Sequence, residues 1–486
     1  MEYLSTVFFI MSLLNWGLAY PVFLTFCCIS FRAISDRVTE PFIDEIFHLR
    51  QCQQYCGGDF YTWDPKITTP PGLYYLGYAW AYGLDRLGLV DACGISALRS
   101  LNLMGGVVCL QLLFSFTQKH SHGVWSTNLT AFPLLVVYYF IFYTDIWSTV
   151  LILTSLVLVV ALPLGLHPSA YLSAFIGLIS ISFRQTNIVW LGFNMVVLLD
   201  RRVQAAGKYR GNLLQFVMAF VQQMISDWTL VLPYAIDGGL FGAFLLANGS
   251  ITFGDKENHV AGVHIAQVFY CLTFMAAFSV PIWISDAFLK SYLRFSVGSI
   301  KSALVTAMLI LTILGCIDRF TVAHPFLLAD NRHYVFYIWQ RIIAYNSYSR
   351  YLLAPIYHFC CFVVGNLLYT NLFDVKPSQV KKSSPPMKLS PIGAIAYLAC
   401  IAVTIIPSPL FEPRYYILPF LYWRLFVQPS SQPFIMLLAG YGQPPTQRLA
   451  LEFVMNLAIN AVVVFVFVNF EFEWPNEPGV VQRIIW

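Results

Sequence analysis

The chain has 486 residues, of which 58% are apolar and only 11% charged, and its mean hydropathy is strongly positive. A water-soluble globular chain carries about a quarter of its residues charged, so this composition excludes that class and points to an integral membrane protein. The formal charge of +4 is spread over many short loops, so no nucleic-acid surface is read from it.

Taken in chain order, the first apolar run, 7–29, approaches the roughly 20 residues that cross a bilayer. A signal-peptide core runs about 7 to 15, so the run is expected as an uncleaved first span. Further runs fall at 101–117, 129–143, 147–162, 170–183, 187–199, 229–247, 264–284, 302–317, 351–370, 391–409, 415–427 and 449–469. The chain therefore reads as one all-α, polytopic membrane domain over 1–486, with about 13 transmembrane helices (range 11–15). The stretches 73–89 and 434–438 read as interfacial or re-entrant. Eleven cysteines, several inside apolar runs, read as packing residues, except Cys52 and Cys56, four apart in a loop helix, which are expected as two free thiols with a link between them as the alternative.

Positive charge in short loops marks the cytosolic side. Three loops carry it: Arg201, Arg202, Lys208 and Arg210; Lys290, Arg294 and Lys301; Lys376, Lys381, Lys382 and Lys388. The opposite side then holds a long first loop (30–100), the turn Phe183-Arg-Gln-Thr-Asn187, the loop after Asn248, the segment 318–350 and Phe411-Glu-Pro-Arg414. Of two sequons, Asn248-Gly-Ser falls on that side and Asn128-Leu-Thr on the cytosolic one.

Those loops collect carboxylates (Asp44, Glu45, Asp64, Asp145, Asp330, Glu412), cations (Arg184, Arg332, His333, Arg414) and many aromatics. Ionisable groups beside a membrane are costly and face a cavity or a partner. Arg332 and His333 lie before an aromatic run, where a guanidinium offers paired donors to a phosphate whose tail lies in lipid. Each arginine also has a plainer reading, as a salt bridge for Arg332 and as a helix-end arginine reaching for water for Arg184 and Arg414. His48 shares a helical face with Asp44 and Glu45 but has no second histidine nearby, so no metal is expected. No Walker loop, Gly-x-Ser-x-Gly elbow or Cys-x-x-Cys pair is present. One base and an anion clamp suit a hydroxyl attacking a carbon that bears phosphate, a leaving group that needs no general acid. Glycoside hydrolysis, by contrast, needs a second carboxylate.

The strings Ile43-Asp-Glu-Ile-Phe-His48, Trp63-Asp-Pro-Lys-Ile-Thr-Thr69, Phe183-Arg-Gln-Thr-Asn-Ile188, Leu327-Leu-Ala-Asp-Asn-Arg-His-Tyr334, Arg414-Tyr-Tyr-Ile-Leu-Pro419 and Gln482-Arg-Ile-Ile-Trp486 closely resemble one family. It is the endoplasmic-reticulum α-1,2-glucosyltransferase that adds the last glucose to the dolichol-linked oligosaccharide. The resemblance implies a GT-C type membrane glycosyltransferase with a lumenal active site and dolichol-linked donor and acceptor lipids. It implies inversion at the transferred glucose and no cofactor. On this reading Asp44 or Glu45 is the base, with Asp44 favoured, and Arg332, His333, Arg184 and Arg414 hold the donor phosphate. Tyr61, Trp63, Asp64, His48, Asp330 and Asn331 are expected to contact sugar. The alternative is a family member acting as a non-catalytic regulator of an ion channel. A secondary transporter would show inverted repeats and mid-span charges, and neither is seen.

Overall fold

The computed structural model describes residues 17–89, 91–117, 123–161, 164–208, 212–372, 387–408, 410–432 and 444–486. Among these, five helices are long and apolar enough to cross a bilayer: Ile95–Thr117, Trp228–Asn248, Ile300–Phe320, Ser349–Thr370 and Pro445–Asn469. Shorter apolar helices, including Asp145–Val160, Leu166–Ile181, Ala266–Phe278 and Pro391–Ile405, fill the bundle between them. The protein is a multi-pass, almost wholly helical membrane protein. Helix Ala19–Arg37 covers the second half of the first expected span, while 434–438 and most of the third basic loop lie outside the described residues.

The expected span at 129–143 is not one helix. Val124–Thr130 ends before Pro133, and Pro133–Val136 and the tight turn Val137–Tyr139 follow as separate elements. Proline has no N–H to continue the ladder, and non-helical backbone at membrane depth survives only where protein satisfies it. Here side chains do so: Asn460 donates to the Ala131 carbonyl (2.8 Å), Asn456 to that of Asn128 (3.2 Å) and the Tyr139 hydroxyl to that of Thr130 (2.7 Å). The whole stretch is buried, so its uniform hydrophobicity reports a protein core and not a lipid-facing surface. Next to it Arg424 and Glu452, 1% and 2% exposed, form a buried ion pair, with the guanidinium 4.1 Å over Trp125.

Two helices fall in segments expected as cytosolic loops. Leu213–Ser226 opens on a capping box formed by Asn212 and Gln215, and Asp286–Val297 is capped by Ser285. Both keep exposed leucines on one face, as helices lying along a membrane surface do. At this end Asp200 accepts from the backbone N–H (3.0 Å) and hydroxyl (2.5 Å) of Ser390, joining the first and third basic loops.

At the other end the remaining loops close over one another. Gly72 donates to the Ser182 carbonyl, Gln185 and the Phe253 N–H both reach Thr68 O, and Gly262 and His264 bond to 406–407. These contacts bring together loops that the sequence places on one side. An antiparallel hairpin, Phe472–Trp474 with Glu477–Gln482, carries the last residues across this end. Tyr334 N–H donates to Ile485 O and Ile485 N–H to Arg332 O, both at 2.8 Å.

The cysteine expectation is corrected. Cys56 is disulfide-bonded to Cys93, with Cα atoms 6.6 Å apart, and Cys52 alone of the helical pair is a free thiol. Helix Gly72–Arg86 folds back against Glu45–Cys56, which returns residue 93 to the end of the earlier helix. Helical spacing between Cys52 and Cys56 carries no trace of that return.

Candidate active site

A cavity of about 470 Å³ opens between the converging loops. The first loop contributes Asp44, His48 and Lys66, the 318–350 segment Asp330, Arg332 and His333, and the 410–414 turn Glu412 and Arg414. Acids from the start of the chain and cations from its later loops thus share one space, as the sequence required.

Asp44 and Glu45 take opposite roles. Successive residues on a helix point about 100° apart, and helix Glu45–Cys56 begins between them. Glu45 turns inward and is wholly buried. Its carboxylate accepts from Arg99 Nε (2.9 Å) and Nη2 (2.7 Å) and from the backbone N–H groups of Phe42 (3.0 Å) and Phe142 (2.7 Å). Arg99 spends its remaining donors on the Val38 and Glu40 carbonyls. With four donors at its two oxygens and no exposed surface, Glu45 has no route to a substrate proton. The expectation that it shares the base role gives way to a structural one.

Asp44 keeps a side chain 44% exposed on the cavity, 3.5 Å from Arg414 Nη1. Its backbone N–H donates to the Tyr143 hydroxyl (2.9 Å), and the preceding Ile43 sits at φ 54°. A β-branched residue in the left-handed region is rare, and here the Glu45 and Tyr143 bonds on either side hold it.

The cations are arranged in ion pairs. Arg414 bonds Glu412 and faces Asp44, and its guanidinium lies over Tyr143 and Tyr415. Burial alone would raise the Glu412 carboxyl, but Arg414 outweighs it and holds Glu412 below the usual carboxylate range. Arg332 grips Asp330 through Nε (2.8 Å) and Nη2 (2.7 Å) and lies 4.6 Å over Trp474. There too burial opposes ionisation, and the Arg332 bonds keep the Asp330 carboxyl low. His333 Nδ1 is 3.1 Å from the Trp486 carbonyl oxygen. Burial, reinforced by Arg414, pushes the His48 imidazole down to about 3, so it is neutral at any working pH, with Nδ1 2.8 Å from the Tyr74 hydroxyl.

Other expected site residues lie elsewhere. Arg184 is not on the cavity wall: it pairs with Asp145 at 3.0 Å and stacks over Tyr415, supporting the Arg414 turn from behind. Asn331 accepts from Trp474 Nε1 (2.7 Å), which ties the motif to the terminal hairpin. Trp63 packs against Tyr74 and Phe253, Tyr61 is almost fully exposed, and Asp64 caps its own turn by accepting from the Lys66 N–H (2.9 Å). None of these three lines the cavity.

Sequence reasoning missed Arg99, Lys66, Asp255, His259 and Trp486. A lone arginine within the apolar run Leu98-Arg-Ser-Leu-Asn-Leu-Met104 signals a buried partner, and that signal could have found Arg99. The cavity positions of Asp255 and His259 depend on the 249–264 loop docking on residues 65–68, which has no local signature.

The sequence model of the DIE2/ALG10 family matches residues 38–425. The chain is 44% identical over 475 residues to the Dol-P-Glc:Glc(2)Man(9)GlcNAc(2)-PP-Dol alpha-1,2-glucosyltransferase of Debaryomyces hansenii, covering 96% of this chain and 98% of that one. It is 42% identical to the protein of that name from Candida glabrata, with 96% and 92% covered, and 31% identical to one from Homo sapiens, with 94% and 96% covered. The matched span takes in the first loop, the 318–350 segment and the 410–414 turn, and the chain belongs to the DIE2/ALG10 family.

Proposed function

We propose that this protein is an inverting α-1,2-glucosyltransferase of the endoplasmic reticulum membrane. It moves glucose from dolichyl phosphate glucose to the 2-hydroxyl of the terminal glucose of Glc2Man9GlcNAc2-diphosphodolichol. The observation that carries this reading is the placement of one accessible carboxylate, Asp44, in the same cavity as Arg332, His333 and Arg414.

Asp44 takes the proton from the acceptor 2-hydroxyl as its oxygen attacks C1 of the donor glucose. The C1–O bond to phosphate breaks on the opposite face, and the electron pair leaves on the phosphate. Negative charge building there is offset by guanidinium groups already oriented by their carboxylate partners, so little reorganisation accompanies the reaction. Neutral His48 supplies a hydrogen-bonding edge for sugar hydroxyls, and Tyr138, Tyr143 and Trp486 offer aromatic faces. The scheme needs no general acid and assigns the leaving-group charge to protein cations.

A lumenal site is supported by the Cys56–Cys93 disulfide at this end, since such bonds persist in oxidising compartments, and by the basic loops at the other end. No observation favours the channel-regulator alternative. Purified full-length protein given synthetic dolichyl phosphate glucose and a diglucosylated acceptor should yield a product one α-linked hexose longer. Failure to transfer from this donor, or transfer from a nucleotide sugar in its place, would overturn the assignment.

A further inference from the structure

We infer that Lys66 is a donor-phosphate-binding residue of this site; the inference deepens the proposed function and rests on it. Among the described residues that line the cavity, Lys66 is the permanent cation with no carboxylate partner. Arg332 commits two N–H groups to Asp330, and Arg414 is held between Glu412 and Asp44. Asp44 and Asp255 add further negative charge to the wall. An entering phosphodiester carries one negative charge and leaves as a phosphomonoester carrying a second. It requires a cation whose charge is not already balanced.

The local structure is built to present this lysine. Asp64 accepts from the Lys66 N–H at 2.9 Å and closes a tight turn, after which Thr68 O receives bonds from both Gln185 and the Phe253 N–H. Asp255 N–H donates to Pro65 O at 2.9 Å. Gly254 lies so close that a Cβ there would fall 2.1 Å from Pro65 O, so the 249–264 loop clamps the lysine turn at backbone level. Two separate elements, the Gln185 turn and the 249–264 loop, thus hold a turn whose exposed residue faces the cavity, an arrangement a merely solvated lysine does not need. The ammonium lies 5.2 Å from the centre of the Phe47 ring, and Phe47 is three residues after Asp44 on the same helical face. Asp44, Phe47 and Lys66 therefore share one wall of the cavity, with the Phe47 ring one helical turn from the base and in contact range of the ammonium.

The test uses the full-length protein in lipid nanodiscs and compares wild type with Lys66→Gln, Lys66→Arg and Asp44→Asn. Lys66→Gln should lower kcat/KM for dolichyl phosphate glucose by about tenfold to a hundredfold, toward the loss seen when one charge-stabilising donor is removed from an active site. The acceptor KM should stay unchanged, and Lys66→Arg should recover most of the loss. Direct binding of dolichyl phosphate should weaken in Lys66→Gln by a similar factor, a readout independent of turnover. Donor kcat/KM within twofold of wild type in Lys66→Gln, alongside an inactive Asp44→Asn, would overturn the lysine assignment and leave the function standing. A wild-type protein that binds dolichyl phosphate through Lys66 but transfers no glucose would overturn the function and leave the lysine assignment standing.

Discussion

Substituting the two adjacent acids should separate chemistry from stability. In Glu45→Gln one oxygen becomes an amide that presents N–H to the donors of Arg99 and of the Phe42 or Phe142 backbone, and the buried guanidinium loses its counter-charge. Breaking a fully buried pair from one side costs about 3–5 kcal/mol, a large share of a typical folding free energy of about 5–15 kcal/mol. Asp44→Asn removes only a half-exposed contact to Arg414 at 3.5 Å, a change worth about 1 kcal/mol or less. Loss of the base, however, should lower turnover by about 10²–10⁴-fold. Thermal unfolding in detergent and glucose transfer, measured on the same preparations, therefore give opposite orders. Glu45→Gln should unfold several degrees earlier while its folded fraction keeps partial activity, and Asp44→Asn should unfold near wild type and be inactive. An Asp44→Asn protein retaining more than a tenth of wild-type turnover, or a Glu45→Gln protein of native stability and no activity, would refute the division of roles.

Replacing Cys56 and Cys93 by serine opens a loop of 37 residues and should cost up to about 4 kcal/mol in chain entropy, read as a lower unfolding midpoint. Cys52, buried and with its thiol pushed up to about 12, should stay unmodified by maleimide in the folded protein. His48 stays neutral when folded, near 3, whereas the unfolded chain protonates it near 6.5. Stability should thus fall by about 2 kcal/mol between pH 7 and pH 5, and His48→Gln should flatten that part of the pH–stability profile. Asn128 is 2% exposed, with its amide donating to Leu449 O and Glu452, so occupancy mapping by mass spectrometry should find no sugar there; any glycan should be at Asn248.

The all-helical, multi-pass character was legible because lipid demands apolar helices and little else, and five of the described helices are long and apolar enough to cross a bilayer. The 129–143 run was misread for the same reason, since a fully buried, proline-broken stretch is as apolar as a lipid-facing helix. Which loops share an end was legible from lysine and arginine in short loops, and Asp200 meeting Ser390 agrees with that grouping. The roles of Asp44 and Glu45 were not legible. The residue that distinguishes them, Arg99, lies 54 positions on and meets Glu45 only after two helices have folded. In the same way the Asp330-Asn-Arg-His333 motif shows its charges in sequence but hides that Asp330 and Asn331 bond within the protein, to Arg332 and Trp474. A motif identifies residues that matter, and only the fold says which of them face the substrate.

The buried Glu45–Arg99 pair bears directly on the chemistry at its neighbour. Ile43 holds a backbone conformation that costs of order 1–3 kcal/mol for a non-glycine residue, and it does so immediately before Asp44, the proposed base. Nothing local favours that conformation. It persists because Glu45 accepts from Phe42 on one side, because the Tyr143 hydroxyl accepts from Asp44 on the other, and because Arg99 fixes Glu45 between residues 38 and 40. The energy of a fully satisfied buried network is thus applied to one turn of backbone, and its result is an aspartate aimed into the cavity instead of continuing the preceding strand of loop. An ion pair at this position adds little to stability compared with a well-packed apolar pair. Its directional bonds set the angle of residues 42–45, which apolar packing does not do, and a general base must lie within hydrogen-bond reach of the proton it removes.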